Sequence, residues 1–312
     1  MTTAVLSALM RPLLEPQLPA WLAPRWFASQ EEALGLAPEA EIGWFDLNDK
    51  HAMAAIVTVA TRLKWLNSIY AGLDFLPLDL LRQRDVTVTH GAGINAVTIA
   101  EYTVMLMLAH AKGFAEVVRA ADRREWLLDS PGKRELAGER VLLLGLGAIG
   151  TLIRARLEAF EMEVVPVRRT PVDGALGPDD WRGALGTFDW VILAVPSTPD
   201  TRHMIGAEEL AAMKRNAVLV NIARGDVVDQ DALFAALTER RIEGALLDVT
   251  APEPLPPEHP LWGAPGVAVT MHLSGRAQTR MIQRSAARFL NNLARWHAGA
   301  PVEPRFDLAA GY

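Results

Sequence analysis

An arginine, a glutamate and a histidine stand in three short segments late in the chain, each where an apolar run gives way to polar residues. Arg224 lies in Asn221-Ile222-Ala223-Arg224-Gly225, Glu253 in Asp248-Val249-Thr250-Ala251-Pro252-Glu253-Pro254, and His272 in Thr270-Met271-His272-Leu273-Ser274-Gly275. Reduction of a 2-oxo acid asks for these three types together. A cation must hold the carboxylate, and a guanidinium offers a planar fork for that task. An acid must protonate the carbonyl oxygen as hydride reaches carbon, which an imidazole does near neutral pH. A carboxylate beside that imidazole favours its charged form and fixes the ring. Asp248 is expected to accept a hydrogen bond from a nicotinamide carboxamide. Taken singly, each has a plainer reading as a surface ion pair, a structural histidine or a turn former. Their joint occurrence downstream of a dinucleotide cradle favours the chemistry.

That cradle is Val141-Leu142-Leu143-Leu144-Gly145-Leu146-Gly147-Ala148-Ile149-Gly150, followed by a helix-like stretch from Thr151 to Phe160. A buried strand, a tight G-x-G-x-x-G turn and a helix N-terminus in that order bind a pyrophosphate. Side chains at the turn would block backbone approach to the phosphates. After the next strand, Glu163–Val167, the chain leaves through Arg168-Arg169-Thr170, with no carboxylate to bond both ribose hydroxyls. Two guanidinium groups and a hydroxyl at that place favour a 2′-phosphate, since a hydrogen bond to a charged group contributes roughly 1.5–3 kcal/mol. NADP is therefore expected over NAD, which remains possible.

The elements that must position these groups follow from periodicity. Apolar strands are expected at 141–144, 163–167, 190–195, 217–222, 244–249 and 267–270. Helical patterns at 206–213 and 230–241 lie between them. Strands apolar on both faces and separated by helices make a covered parallel sheet. The first hundred residues are less regular. Strands are expected at 42–45, 66–69 and 86–89, a helix at 76–83, and a first strand with its loop within residues 1–14. Trp44 and Phe45 end one of these strands, and either contact the substrate or pack the core. Val97 to Ala120 is expected to form one long buried helix that joins two domains and contributes to a subunit contact. A second long helix is expected from Gln278 to His297, and loop chemistry fills Leu128 to Arg140.

The chain has 312 residues, enough for two domains on a prior of about 150 each. Half of it is apolar and 22% charged, as in a globular protein with a sizeable core. A net charge of -6, with no basic run among aromatics, argues against a nucleic-acid partner. No apolar run is long enough to cross a membrane, and the N-terminus lacks the basic start of a signal peptide. The absence of cysteine removes disulfides, thiol nucleophiles and thiolate metal sites, and fits a cytoplasmic location. No metal is called for.

Several linked motifs, in order over residues 66 to 297, resemble the D-isomer-specific 2-hydroxyacid dehydrogenases. They are Tyr70-Ala71-Gly72-Leu73-Asp74, Asn95-Ala96-Val97-Thr98-Ile99-Ala100-Glu101, Gly145 to Gly150, Pro196-Ser197-Thr198-Pro199-Asp200-Thr201, and the three segments around Arg224, Glu253 and His272. The resemblance implies an α/β protein with a Rossmann-type doubly wound parallel sheet over 99–277. A smaller flavodoxin-like substrate domain would comprise 1–98 and 278–312. It implies that Arg224 binds substrate, that His272 is the acid/base and that Glu253 is its partner. Backbone amides of Ala71, Gly72 and Leu73 would hold the substrate carboxylate. Thr98, Gly145, Gly147, Ala148, Ile149, Gly150, Arg168, Arg169, Thr170, Pro196, Thr201, Ile222, Ala223, Asp248 and Ser274 would lie along the cofactor. A homodimer through the cofactor domain is the implied assembly.

Departures from the family pattern are Arg168-Arg169-Thr170, Thr250 with Ala251, and Arg276; the first sixty residues are only weakly similar. The expected activity is NADPH-dependent reduction of a small 2-oxo acid, glyoxylate or hydroxypyruvate, to the D-2-hydroxy acid, with domain closure excluding water. Three alternatives stand beside it. One is a relative acting with NAD on a larger substrate such as phenylpyruvate or 3-phosphoglycerate. Another is an enzyme of formate or phosphite, against which Glu253 speaks, because formate oxidation needs no proton transfer. The third is a dinucleotide-sensing regulatory protein.

Overall fold

The computed structural model describes residues 1–170, 174–276 and 279–309. The chain divides into two compact units, Met1–Asn95 with Gln278–Tyr312, and Ala96–Ala277. The sequence suggested a division three residues later, but the helix that opens the second unit already begins at Ala96.

The first unit contains β1 (Thr2–Ser7), α1 (Arg11–Leu14), β2 (Leu22–Phe27), α2 (Gln30–Leu36), β3 (Ile42–Trp44), α3 (Lys50–Val59), β4 (Trp65–Asn67), α4 (Leu78–Gln83) and β5 (Thr87–Thr89). Its five strands are all parallel, in the order β2-β1-β3-β4-β5. That is the flavodoxin-type doubly wound order. Successive side chains of β1 enter different cores, Ala4 and Leu6 on one face and Val5 on the other. Asp49 caps α3 by accepting from the amides of His51 and Ala52.

Two features here were not anticipated. The N-terminal strand stops at Ser7, and Arg11–Leu14 coils into a helical turn with Pro12 in its first positions, where the missing N–H costs little. Strand β2 gives no alternating signal because only its two end residues are buried. It lies at the sheet edge, which tolerates its Pro24.

The second unit contains α5 (Ala96–Ala111), α6 (Phe114–Asp122), β6 (Arg140–Leu144), α7 (Ala148–Glu158), β7 (Glu163–Val167), β8 (Trp190–Leu193), α8 (Ala207–Ala212), β9 (Val218–Asn221), α9 (Gln230–Thr238), β10 (Gly244–Leu247) and β11 (Val267–Val269). The six strands are parallel in the order β11-β10-β9-β8-β6-β7. A single parallel bridge between Val167 and Leu176 extends the sheet beyond β7. Counting that bridge as a reduced strand gives the Rossmann order, with its switch point between β6 and β8. Side chains alternate between two cores. Leu143, Ile192 and Val220 meet α5 and α7, while Leu142, Val191 and Leu219 meet α8 and α9.

The expected single helix from Val97 to Ala120 is two helices. Gly113 breaks it in a left-handed conformation (φ 61°), packed so closely on the Pro131–Gly132 turn that a Cβ would lie 2.8 Å from the Gly132 nitrogen. The chain then rejoins the first unit as α10 (Met281–His297), whose Phe289 stacks on Trp65 and meets Trp44. The expected helix start at Gln278 lies outside the described residues. Trp44 and Phe45 are both buried, so they pack the core.

Candidate active site and dinucleotide cradle

In the second unit, β6 runs into the glycine turn and α7 as the sequence indicates. Gly145 has φ 104°, and a Cβ there would sit 2.4 Å from the Ala194 carbonyl oxygen of the neighbouring strand end. A Cβ on Gly150 would lie 2.1 Å from the Gly145 carbonyl oxygen, so its absence lets α7 pack against the turn. At Gly147 the situation reverses, because a Cβ would meet no protein atom within 4 Å. The space over Gly147 is open, and no side chain caps the N-terminus of α7. Free amides and the positive end of the helix dipole beside open space suit a pyrophosphate. The residues present therefore fit a dinucleotide.

Arg168, Arg169 and Thr170 follow the end of β7 and are exposed. Beyond β8, Thr201 Oγ1 donates to the Pro196 carbonyl and accepts from the Thr198 amide, closing the Pro196–Thr201 turn. Ile222, Ala223, Ser274 and Thr98 are buried.

The three chemical residues come together on successive strand ends of this unit. His272 Nδ1 is 2.8 Å from Glu253 Oε2, and both side chains are half exposed. Glu253 Oε1 also accepts from the Thr250 amide at 3.1 Å. Burial pushes the Glu253 carboxyl upward, but the His272 hydrogen bond and charge, the Thr250 amide and the Arg224 charge together hold it below the usual carboxylate range. The imidazole Nε2 has no partner among the described residues. Arg224 is extended, with Nη1 on the Ala223 carbonyl at 2.8 Å. The arrangement can hold an anion with the guanidinium and move a proton through a buttressed imidazole.

Neighbouring residues set this geometry. Met271 and His272 both lie in the left-handed region (φ 55° and 56°), a strained conformation that persists only where surroundings fix it. Asp248, 2% exposed, supplies that constraint. Its Oδ1 accepts from Thr270 Oγ1, Leu273 N and Ser274 N, its Oδ2 accepts from Ser274 Oγ, and its carbonyl accepts from the His272 amide. From sequence, Asp248 is expected only to serve the cofactor; its anchoring of the histidine loop is a structural finding. Asn221 was likewise missed as a positioning residue. It accepts from the Ala223 amide and donates to the Arg224 carbonyl, shaping the turn that carries the guanidinium. The side-chain amide of Gln230 pairs with both backbone groups of Ala251 and pins the Glu253 loop. Such polar residues at a strand end and a helix start are the available sequence signals, though they name no partner.

In the first unit, the amides of Ala71, Gly72 and Leu73 donate to no acceptor among the described residues. Three successive amides without an acceptor among the described residues are available to an anion. The Leu73 side chain is buried in the core beneath them.

A dinucleotide cradle at the switch point of a parallel sheet, in one unit with a carboxylate–imidazole pair, defines the class as a nucleotide-dependent oxidoreductase. Residues 104–274 match the model of the D-isomer specific 2-hydroxyacid dehydrogenase, NAD binding domain. A glyoxylate reductase of Thermofilum pendens is 34% identical over 277 residues, covering 84% of this chain and 80% of that protein. A D-3-phosphoglycerate dehydrogenase of Methanocaldococcus jannaschii is 33% identical over 237 residues, 74% of this chain; the chain spans only 45% of its length. The solved NADPH-dependent glyoxylate/hydroxypyruvate reductase of Sinorhizobium meliloti, in complex with NADP and sulfate, superposes with a TM-score of 0.81 at 25% identity, covering 100% of both chains. The chain belongs to the D-isomer-specific 2-hydroxyacid dehydrogenase family and is an oxidoreductase whose second unit is the NAD-binding domain.

Proposed function

We propose that this enzyme reduces a small 2-oxo acid, glyoxylate or hydroxypyruvate, to the D-2-hydroxy acid with NADPH. The observation that carries the reading is the 2.8 Å contact between His272 Nδ1 and Glu253 Oε2, with the opposite ring nitrogen lacking a partner among the described residues. An imidazole held this way by a carboxylate is poised to donate a proton to a carbonyl oxygen. Arg224 holds the substrate carboxylate and polarises the keto group, and the amides of Ala71, Gly72 and Leu73 bind the carboxylate oxygens. His272 delivers its proton to the carbonyl oxygen, and Glu253 stabilises the charge that the ring carries beforehand.

The backbone of Gly145–Gly150 and the N-terminus of α7 hold the dinucleotide pyrophosphate. The Pro196–Thr201 turn, Thr98, Ile222, Ala223 and Ser274 would line it, and Asp248 would accept a hydrogen bond from the carboxamide. When bound, the reduced nicotinamide supplies hydride to the keto carbon. The first three residues past β7, Arg168, Arg169 and Thr170, include no carboxylate, which supports NADPH over NADH. A cytoplasmic location accompanies this reading, since reduced dinucleotide is drawn from that pool.

The test is a panel of glyoxylate, hydroxypyruvate, pyruvate and phenylpyruvate against NADPH and NADH, with 3-phosphoglycerate assayed in the oxidative direction. The expected result is the highest kcat/KM for glyoxylate or hydroxypyruvate with NADPH. Equal or better turnover with NADH overturns the cofactor assignment. Preference for phenylpyruvate or 3-phosphoglycerate overturns the substrate assignment, and no turnover of any member overturns the reaction.

A further inference from the structure

The loop that carries the three free amides is built around one carboxylate. Asp46 lies two residues past the end of β3, half-buried, with its oxygens ringed by donors. Trp44 Nε1 and the Ile69 amide each donate to Oδ2 at 2.6 Å, and Ser68 Oγ donates to Oδ1 at 2.7 Å. Ser68 Oγ in turn accepts from the Tyr70 amide at 3.1 Å, so the carboxylate governs three consecutive residues, Ser68 to Tyr70.

The opposite side of the loop is tied as firmly. Tyr70 Oη donates to the Leu47 carbonyl at 2.9 Å, and the Gly91 amide donates to the Tyr70 carbonyl at 2.7 Å. His90 Nδ1 is 2.7 Å from the Ala71 carbonyl oxygen. Gly91 passes so close that a Cβ would lie 1.8 Å from the Ile69 carbonyl oxygen. These bonds fix the Ile69 amide, the Tyr70 amide and carbonyl and the Ala71 carbonyl. The amides of Ala71, Gly72 and Leu73 have no acceptor among the described residues.

Among the described residues no cation offsets Asp46. Burial pushes its carboxyl up to about 6, and what opposes this is the three hydrogen bonds alone. A carboxylate in such a place is a costly way to fill volume and an effective way to gather three donors at once. It receives two donors from the segment it orients and one from the strand end below, so it transmits the position of β3 to the loop.

We propose that Asp46 is a positioning residue for substrate: by clamping Ser68 and Ile69 it sets the Ala71–Leu73 amides in the geometry that receives the substrate carboxylate. The proposal rests on the reading that those amides hold that carboxylate. A group acting this way governs substrate capture and leaves cofactor binding alone.

The experiment compares Asp46→Asn, Ser68→Ala and Ala71→Pro, the last deleting one amide N–H outright. Each is assayed on the best 2-oxo acid of the panel, with NADPH Kd measured separately by nucleotide fluorescence. Asp46→Asn is expected to raise KM at least about tenfold, the scale of one lost hydrogen bond to a charged group. Its kcat should stay within about threefold and its NADPH Kd should not change; Ser68→Ala should move KM in the same direction by less. An unchanged KM in Asp46→Asn, or in Ser68→Ala should the former fail to fold, overturns the Asp46 assignment if Ala71→Pro still raises KM. No KM effect from Ala71→Pro overturns the loop reading itself and this proposal with it. A loss spread equally over KM, kcat and NADPH Kd marks Asp46 as merely structural and also overturns the proposal.

Discussion

At the residue scale, the proposed mechanism assigns proton transfer to the His272–Glu253 pair. General acid catalysis contributes about 10²–10⁴-fold, so His272→Ala is expected to lower kcat by at least about a hundredfold. NADPH affinity should survive, because the cradle glycines lie on a different strand end. Near-normal turnover in that variant, with folding verified by circular dichroism, removes His272 from the mechanism. The pH behaviour follows from Glu253, whose carboxyl sits below its ordinary value of 4.5. A group depressed on folding contributes stability that is present above its unfolded value and lost as pH falls through the folded one. The Glu253 carboxylate is therefore expected to stay ionised as pH falls to its ordinary value of 4.5. A loss of kcat/KM traceable to Glu253, absent in Glu253→Gln, should begin only below about 4.5. An acid limb near pH 6 that disappears in Glu253→Gln contradicts this. The placement of Arg224, Glu253 and His272 beyond successive strand ends was legible because each follows an apolar strand. Asp46, Asn221 and Gln230 were not, since their roles consist of bonds to partners named only by the fold, as in the contact from Asp46 to Ile69 across 23 positions.

At the element scale, the strand–turn–helix cradle separates glycines that serve folding from one that serves binding. Gly150→Ala drives a methyl against the Gly145 carbonyl oxygen, where neither α7 nor the turn can yield cheaply. It is expected to cost roughly 1–3 kcal/mol, as overpacking does, and to lower Tm by several degrees. Gly147→Ala places its methyl in open space, at an ordinary extended conformation. Its Tm should match the parent while NADPH Kd rises at least about tenfold through steric exclusion of the pyrophosphate. Thermal melts with and without nucleotide check both, and a Gly147→Ala variant that binds normally shows that phosphates do not approach there. The cradle was legible because strand, turn and helix are contiguous in sequence. The break between α5 and α6 was not: Gly113 reads as a tolerated helix glycine until the Pro131–Gly132 turn, eighteen positions on, is seen to occupy the space beside it. Strand β2 was hidden because an edge strand buried only at its ends carries no period-two pattern.

At the scale of the whole molecule, the second unit carries an apolar groove on its surface. Met105, Phe114 and Phe160 are 48%, 57% and 41% exposed and line one groove with Val104, Leu108 and Ala159, between α5 and α7. Trp126 and Leu128, in the segment after α6, are 91% and 97% exposed. Isolated exposed apolar residues are ordinary, whereas a contiguous groove is a candidate association site. Together with the dimeric assembly implied by the family resemblance, this leads us to propose that a second copy of the chain covers it. Sedimentation equilibrium at micromolar concentration should give twice the chain mass. Met105→Asp and Phe114→Asp, which bring a charge into the groove, should give the single mass. Because association stabilises the folded state by mass action, Tm of the parent should also rise with protein concentration, and Tm of the variants should not. A parent protein of single mass with a concentration-independent Tm leaves the groove without a partner of its own kind and withdraws the dimer.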